Sequence, residues 1–234
     1  MPKPIAIVTG ASSGIGKNLA IKLSDDYFVY LISRNNDRLQ KVYNIILSKG
    51  NECEVVVADI SKKESLNEIY SRINSKEDIE LLVNNAGKAI FGDISNTSIE
   101  DWDSQVNINL RGAFLMTKMI VDDMKSKKNG SIVFVNSVAG LQSYKNSTAY
   151  VSSKHGLRGF ASSLREELRD YNIKVVSVYP GAIDTPLWDS MDMDSLRPDM
   201  MSVDDVGDVI INSIKSPNNC TVEEIVLRRI KGDF

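Results

Sequence analysis

Short apolar runs recur along the chain and alternate with segments of helical spacing. Seven of these runs are rich in Val and Ile, which is typical of strands: Ile5–Val8, Phe28–Ile32, Val55–Ala58, Leu81–Val83, Ile132–Val135, Val175–Val178 and Ile225–Leu227. Their apolarity is continuous rather than alternating, which predicts strands that are buried on both faces. Helical segments separate nearly all of the runs, and parallel strands require such crossovers. The pattern therefore predicts an α/β fold, a doubly wound parallel sheet of about seven strands with helices on both faces.

Two of the predicted helices are long, one from about Ile99 to Met124 and one from about Ser147 to Tyr171. No internal repeat, low-complexity tract or linker divides the sequence. A chain of 234 residues with 42% hydrophobic content can bury one large core. We therefore expect a single domain over residues 1–234, with one irregular stretch from Pro186 to Ser202.

Composition excludes several functional classes. The net charge is -3 and the charges are scattered, so neither a nucleic acid nor a membrane surface is an expected partner. No apolar run approaches the ~20 residues that span a bilayer, and no cleavable signal precedes the first strand, so we expect a cytoplasmic protein. Cys53 and Cys220 lack the spacing of a metal cluster or a disulfide framework. The single histidine, His155, is too few for an imidazole zinc site or a Ser-His-Asp hydrolase, and we expect no metal.

Tyr150 and Lys154 lie four residues apart and therefore share one face of a helix. A positive charge within a few ångströms favours the phenolate and lowers the pKa of a phenol from about 10. Tyr150 could then exchange a proton with a carbonyl oxygen. The spacing alone is common by chance, and the alternative is an ordinary surface pair. Ser137, which closely follows the strand Ile132–Val135, adds a hydroxyl that could act on the same oxygen.

A glycine-rich turn lies between the first predicted strand and the first helix. Gly10, Gly14 and Gly16 follow the spacing G-x-x-x-G-x-G. Amides and the dipole at a helix N-terminus attract phosphate, and glycines let a pyrophosphate approach the backbone. Because the turn follows the first strand of an α/β chain, a nucleotide site is favoured over a purely structural turn.

The end of the second strand bears on the type of cofactor. NAD is recognised there by a carboxylate on its ribose hydroxyls, whereas the chain has Ser33, Arg34 and Asn35. A guanidinium is suited to the additional phosphate of NADP, and its neighbours can add hydrogen bonds. We predict NADP in preference to NAD; in the alternative interpretation Arg34 is a solvated loop charge.

Together these motifs resemble the short-chain dehydrogenase/reductase family of the ordinary one-domain type. The resemblance rests on Thr9–Gly16, Asn84–Gly87, Asn109, Ser137, Tyr150 with Lys154, and Pro180–Gly181. The motifs occur in the family's order and span nearly the whole chain. The resemblance implies a Rossmann fold and an oxidoreductase that acts on a CH-OH group.

The resemblance also implies roles for single residues. Tyr150 would be the general acid/base, Lys154 would lower its pKa and hold the nicotinamide ribose, and Ser137 would hydrogen-bond the substrate oxygen. Asn109 would position a water for a proton relay; alternatively it is a polar helix residue. The implied cofactor-binding residues are Gly10, Ser12, Ser13, Gly14, Ile15, Gly16, Ser33, Arg34, Asn35, Asp59, Ile60, Asn85, Ala86, Gly87, Tyr150, Lys154, Pro180, Gly181, Ile183 and Thr185.

The expected activity is hydride transfer between NADP(H) and a small carbonyl or secondary alcohol. Residues 186–202 would form the substrate lid, in which four aspartates against one arginine favour a neutral carbonyl. The alternatives are an NAD-dependent alcohol dehydrogenase of the same family and a non-catalytic NADP-binding sensor. Family members commonly pair through the two long helices, so the resemblance also implies a homodimer or homotetramer.

Overall fold

The fold is built on one parallel sheet of seven strands. The computed structural model describes residues 3–189, 194–217 and 219–232. The strands are β1 (Ile5–Thr9), β2 (Phe28–Ser33), β3 (Cys53–Val57), β4 (Ile79–Asn84), β5 (Gly130–Val135), β6 (Ile173–Pro180) and β7 (Glu224–Leu227). Their order in the sheet is β3-β2-β1-β4-β5-β6-β7. Each predicted strand overlaps an observed one, and the predicted doubly wound parallel sheet is confirmed.

Helices cover both faces of the sheet. They are α1 (Gly14–Leu23), α2 (Asn36–Ser48), α3 (Lys63–Arg72), α4 (Ile99–Val106), α5 (Ala113–Lys127), α6 (Thr148–Leu168) and α7 (Val203–Ile214). One core layer contains the buried residues of α3, α5 and α6, and the other contains those of α1, α2 and α7. In β1, Ile5 and Ile7 belong to the first layer while Ala6 and Val8 belong to the second. This two-sided burial explains why the strands are apolar at consecutive positions.

The first predicted long helix is interrupted, which corrects the expectation of one continuous helix. Residues Asn107–Gly112 form a π-helical segment between α4 and α5. A π-helical turn adds one residue to the helical repeat and often occurs at functional sites. The second long helix agrees more closely with the prediction, because α6 ends at Leu168 and a 3₁₀ turn continues to Tyr171.

The remaining expectations concern the histidine, the membrane and the lid. The single histidine, His155, lies exposed on α6. Within the described ranges, no helix is long and apolar enough to cross a bilayer. The predicted lid contains two 3₁₀ turns, Pro186–Trp188 and Arg197–Asp199, while its residues 190–193 lie outside the described residues.

Candidate active site

The glycine turn after β1 packs directly against the chain after β4. Gly10 has a φ of +67°, and a Cβ on it would lie 2.8 Å from the Asn85 Nδ2 and 2.9 Å from the Ala86 Cα. Asn85 donates its side-chain amide to the Thr9 carbonyl at 2.9 Å. The Thr9 hydroxyl in turn accepts from the backbone N–H of Asn85 and of Ala86, at 3.0 and 3.1 Å. Thr9 and Asn85 thus hold the carboxyl ends of β1 and β4 together. The side chain of Asn85, a predicted cofactor ligand, is already engaged in that contact.

A cavity of about 610 Å³ runs along the carboxyl edge of the sheet. Ligands of doubly wound sheets bind at this edge. The predicted cofactor residues that line it are Gly10, Ser12, Ser13, Gly14, Ile15, Ser33, Arg34, Asn35, Asp59, Ile60, Asn85, Ala86, Gly87, Tyr150, Lys154 and Thr185. The structure therefore brings together, around one cavity, residues that are distributed over most of the sequence.

Four predicted cofactor residues do not line this cavity. Gly16 is buried in α1, where its missing Cβ leaves room for the Gly10 carbonyl and the Asn85 amide. Pro180 ends β6, and the N–H of Gly181 continues the pairing to β7 by donating to the Leu227 carbonyl at 2.8 Å. Ile183 is buried and pairs with the lid through a bridge to Met201. Gly16 thus packs against lining residues, while the cofactor-binding roles of Pro180, Gly181 and Ile183 stay predictions.

A second arginine, Arg38, joins Arg34 in the cavity wall, and the sequence analysis missed it. Asn35 caps α2 by accepting the Arg38 N–H on its Oδ1 at 2.9 Å. Arg34 and Arg38 therefore flank the N-terminus of a helix, and both are exposed. The available clue was that Arg38 lies in the first turn of the helix that follows the strand end carrying Arg34.

Asp59, which follows β3, is an acidic residue that lines the same cavity as Arg34 and Arg38. Burial alone would raise the pKa of Asp59, but hydrogen bonds from Ser61 and the charge of Arg34 hold it below its ordinary value. The carboxylate stays ionised near neutral pH. Its hydroxyl partner is Ser61, whose Oγ donates at 2.7 Å.

The Tyr150 phenol lies close enough to the Ser137 hydroxyl for the two groups to interact, so both could contact one substrate oxygen. Burial raises the pKa of Tyr150 above its ordinary value, and the interaction with Ser137 offsets this only in part. Ser137 also caps the following 3₁₀ turn by accepting from the Ala139 N–H at 3.1 Å. The phenol is therefore protonated at neutral pH.

Lys154 is 4% exposed, and burial lowers the pKa of its ammonium to about 8. Its Nζ donates to the Val135 carbonyl at 3.1 Å and lies 5.8 Å from the centroid of the Tyr150 ring. That Lys154 lowers the pKa of Tyr150 stays a prediction. The ammonium is directed to Val135, and desolvation of the phenol dominates.

Asn109 lies buried in the π-helical segment and fastens the chain after β4 to α6. Its Oδ1 accepts from the Lys88 N–H at 2.8 Å. Its Nδ2 donates to the Lys88 carbonyl at 2.8 Å and to the Ser153 hydroxyl at 2.9 Å. The carboxamide holds Lys88 beside α6, and it does not line the cavity. The role of Asn109 in positioning a water stays a prediction.

Asn136 is a buried residue of the site that the sequence analysis missed. Its Nδ2 donates to the Lys154 carbonyl at 3.1 Å, and its backbone N–H donates to the Val178 carbonyl at 2.8 Å. It therefore joins the end of β5 to α6 and to β6. Its position directly before Ser137 was the available clue.

The lid is held by ion pairs around Arg197. This guanidinium contacts the carboxylates of Asp184 at 2.7 Å, Asp189 at 2.5 Å and Asp194 at 3.4 Å. The predicted acidic character of the lid is thereby reduced, because Asp189 and Asp194 are paired within it. The indole N–H of Trp188 donates to the Ile183 carbonyl at 2.9 Å.

A parallel sheet with a glycine turn and a Ser-Tyr-Lys group at its carboxyl edge defines a dinucleotide-dependent oxidoreductase. The chain belongs to the short chain dehydrogenase family, whose pattern matches residues 4–195. A sepiapterin reductase of Chlorobaculum tepidum is 32% identical over 241 aligned positions, covering 99% of this chain and 98% of that protein. The family resemblance drawn from the motifs is confirmed.

Two solved structures resemble the chain over nearly its whole length. A metagenomic short-chain oxidoreductase in complex with NADP is 29% identical, with a TM-score of 0.84 and 97% of each chain covered. An alcohol dehydrogenase from the archaeon Thermococcus sibiricus, complexed with 5-hydroxy-NADP, is 27% identical, with a TM-score of 0.88 and 97% of each chain covered. The fold and the cofactor edge are thus shared with oxidoreductases.

Proposed function

We propose that this chain is an NADP(H)-dependent oxidoreductase that interconverts a small, neutral carbonyl compound and its alcohol. The observation that carries the proposal is the proximity of the Tyr150 phenol and the Ser137 hydroxyl, next to a buried Lys154. Tyr150 and Lys154 line the same cavity as the glycine turn. Proton-transferring groups and a dinucleotide-type cradle therefore belong to one site.

The residues of the cavity fit NADP. Gly10 and Gly14 have φ values of +67° and +51°, which favour glycine, and they form the turn at the N-terminus of α1, where backbone amides and the helix dipole suit a pyrophosphate. Arg34 and Arg38 flank the N-terminus of α2, which suits the additional phosphate. Support also comes from the two solved relatives, which were determined with NADP and with an NADP derivative.

The chain's own residues would supply the proton and stabilise the oxygen. When bound, NADPH supplies the hydride that reduces the carbonyl carbon. Tyr150, kept protonated by its raised pKa, would donate its phenolic proton to the carbonyl oxygen. Ser137 would donate a hydrogen bond to the same oxygen and stabilise its developing charge. Lys154 would hold the nicotinamide ribose, and in the oxidising direction Tyr150 would accept the proton instead.

The lid supports a neutral substrate. Arg197 is engaged by carboxylates of the lid and of Asp184, so it does not offer a separate cation to an anionic substrate. Residues 186–202 would form the lid over the substrate, and residues 1–234 would form a single domain. Assembly into a homodimer or homotetramer and the water-positioning role of Asn109 belong to the same proposal and rest on the family resemblance.

The test of the proposal is a Tyr150→Phe protein, assayed with NADPH and a panel of aldehydes and ketones that includes sepiapterin. Loss of the phenolic proton should reduce kcat/KM by about 10²- to 10⁴-fold. The affinity for NADPH, measured by fluorescence titration, should be unchanged. Tyr43→Phe is the matched control, because it removes the same hydroxyl from α2 at a residue outside the cavity wall. Wild-type turnover by Tyr150→Phe would refute the proposal.

A further inference from the structure

Two aromatic rings from distant parts of the chain lie parallel to each other next to Tyr150. Phe91 follows β4, and Trp188 lies in the lid; their ring planes are within 2° of each other and their centroids are 6.2 Å apart. The Phe91 ring also meets the Tyr150 ring edge to face, with 5.6 Å between centroids. We refer to Phe91 and Trp188 as the aromatic pair. A substrate whose oxygen is reached by the Tyr150 phenol must lie beside this pair.

Both rings are held by hydrogen bonds of the chain around them. The Trp188 indole is anchored by its bond to the Ile183 carbonyl at 2.9 Å. The residue before Phe91, Ile90, donates its backbone N–H to the buried side chain of Gln105 at 2.9 Å. Each ring is therefore positioned independently of the other. Such positioning reduces the entropy that a bound ligand would lose in ordering the wall of its site.

Burial of the pair in the core does not explain its arrangement. Phe91 is 37% exposed, and neither ring belongs to the two buried core layers. The rings do not line the 610 Å³ cavity, but Tyr150, which touches Phe91, and Leu187, which precedes Trp188, both do. Phe91 is exposed and Trp188 is half-buried, so the pair is a partly exposed apolar wall that adjoins the cavity at Tyr150.

We infer that the aromatic pair is the wall against which a planar, conjugated carbonyl substrate stacks while its oxygen meets Tyr150 and Ser137. The inference rests on the proposed function and narrows its substrate class to aryl or heteroaryl ketones and aldehydes. A flat π-system gains stacking contact over its whole face, whereas a puckered saturated ring of the same size does not. The pair therefore discriminates between substrates by shape and π-character, in addition to their apolar area.

The test compares two ketones that share one carbon skeleton, acetophenone and cyclohexyl methyl ketone, in the NADPH-dependent reaction. The ratio of their kcat/KM values should fall about threefold to tenfold in Phe91→Leu and in Trp188→Leu, the range expected for one lost stacking contact. The different intrinsic reactivities of the two ketones cancel, because the kcat/KM ratio of each variant is compared with the same ratio in wild type. Phe114→Leu removes an exposed aromatic ring from α5 and should leave the ratio unchanged.

A second measurement does not depend on turnover. The chain has two tryptophans, Trp102 and Trp188, so a Trp102→Phe protein reports fluorescence from Trp188 alone. In the presence of NADPH, which cannot oxidise an alcohol, 1-phenylethanol should change this emission saturably and more tightly than 1-cyclohexylethanol. Equal titrations by the two alcohols would refute the stacking role.

The outcomes separate the two proposals. Reduction of both ketones with a ratio that the variants leave unchanged would overturn the aromatic wall and leave the proposed oxidoreductase intact. A selective fluorescence response to 1-phenylethanol without reduction of either ketone would support the wall and contradict the carbonyl reaction proposed for it.

Discussion

At the scale of single residues, we propose that Arg34 and Arg38 set the preference of the site for NADP over NAD. Both side chains are exposed in the cavity wall, so either guanidinium can reach a phosphate without first being desolvated. We predict that Arg34→Ala and Arg38→Ala each lower kcat/KM for NADPH roughly tenfold, the effect of one lost charge-assisted hydrogen bond. The value for NADH should stay within twofold of wild type.

The control for the arginine variants is Lys41→Ala, which removes an exposed positive charge from the same helix α2. If Lys41→Ala lowered kcat/KM for NADPH as strongly as the arginine variants, the preference for NADP would come from overall positive charge and not from direct contact with the phosphate.

The sequence could indicate Arg34 because a strand end is readable from the apolar pattern. It gave no comparable indication for the side chain of Asn85, whose partners lie at Thr9 and Gly10, about 75 residues earlier in the chain. The direction of the pKa shift at Tyr150 was equally hidden, because it depends on how fully the folded chain removes the phenol from water.

At the scale of elements, the turn between β1 and α1 and the chain after β4 form one unit. Gly10→Ala should destabilise the protein and weaken NADPH binding at least tenfold. The new methyl group would meet the Asn85 amide and the Ala86 backbone, in a φ region that alanine disfavours.

Gly50→Ala separates these two effects. Gly50 also has a positive φ, +78°, but nothing lies within 4 Å of a Cβ built on it. Its substitution should lower the free energy of unfolding by only about 1 kcal/mol and leave NADPH binding unchanged. If Gly10→Ala and Gly50→Ala lowered the free energy of unfolding equally in denaturant titrations, a close approach of the β1–α1 turn to the chain after β4 would be contradicted.

Helix boundaries followed from hydrophobic spacing, but the π-helical interruption at Asn107–Gly112 did not. The apolar pattern of the segment permits an uninterrupted helix. Asn109 bonds Lys88 and Ser153, which are 21 and 44 residues away in sequence, so the buried contacts at this segment appear only when β4 and α6 are in place.

At the scale of the whole molecule, the charge of Lys154 opposes folding in the absence of cofactor. Its pKa falls from an ordinary 10.5 to about 8 because the ammonium is buried. Each pKa unit corresponds to about 1.4 kcal/mol, so keeping this charge in the fold costs roughly 3 kcal/mol. A variant without the ammonium would also lose the hydrogen bond from Lys154 to the Val135 carbonyl, which offsets part of the gain.

We therefore predict that Lys154→Met raises the free energy of unfolding at pH 7 by about 2 kcal/mol while it abolishes activity. Below pH 8 both the folded and unfolded wild-type chains carry the proton, and the burial cost is complete. Between pH 8 and 10.5 the unfolded chain binds more protons, so wild-type stability gains with rising pH and the difference from the variant shrinks.

Denaturant unfolding of the cofactor-free proteins near pH 7 and near pH 9.5 checks this prediction. The control is Lys118→Met, at an exposed position on α5. Its free energy of unfolding should differ little from that of wild type at either pH. A Lys154→Met protein that is less stable than wild type at pH 7 would show that the ammonium stabilises the fold instead.

The architecture of the whole molecule was predictable because continuous apolar runs separated by helices permit few arrangements. The substrate side was less predictable. Phe91 and Trp188 are 97 positions apart in the sequence, and no periodic pattern relates a residue after β4 to one in the lid. Their parallel rings result from the way the carboxyl ends of β4 and β6 place two irregular segments side by side.

The exposure of Arg34 and Arg38 has a consequence for the conditions under which the protein works. Mobile ions screen exposed charges over about 8 Å at physiological ionic strength, and over longer distances in dilute buffer. Attraction between these arginines and a phosphate therefore weakens as the surrounding electrolyte becomes more concentrated. Under the proposed role of these arginines, selectivity between the two nicotinamide dinucleotides is a joint property of the chain and its medium, sharper in dilute buffer than in a cell.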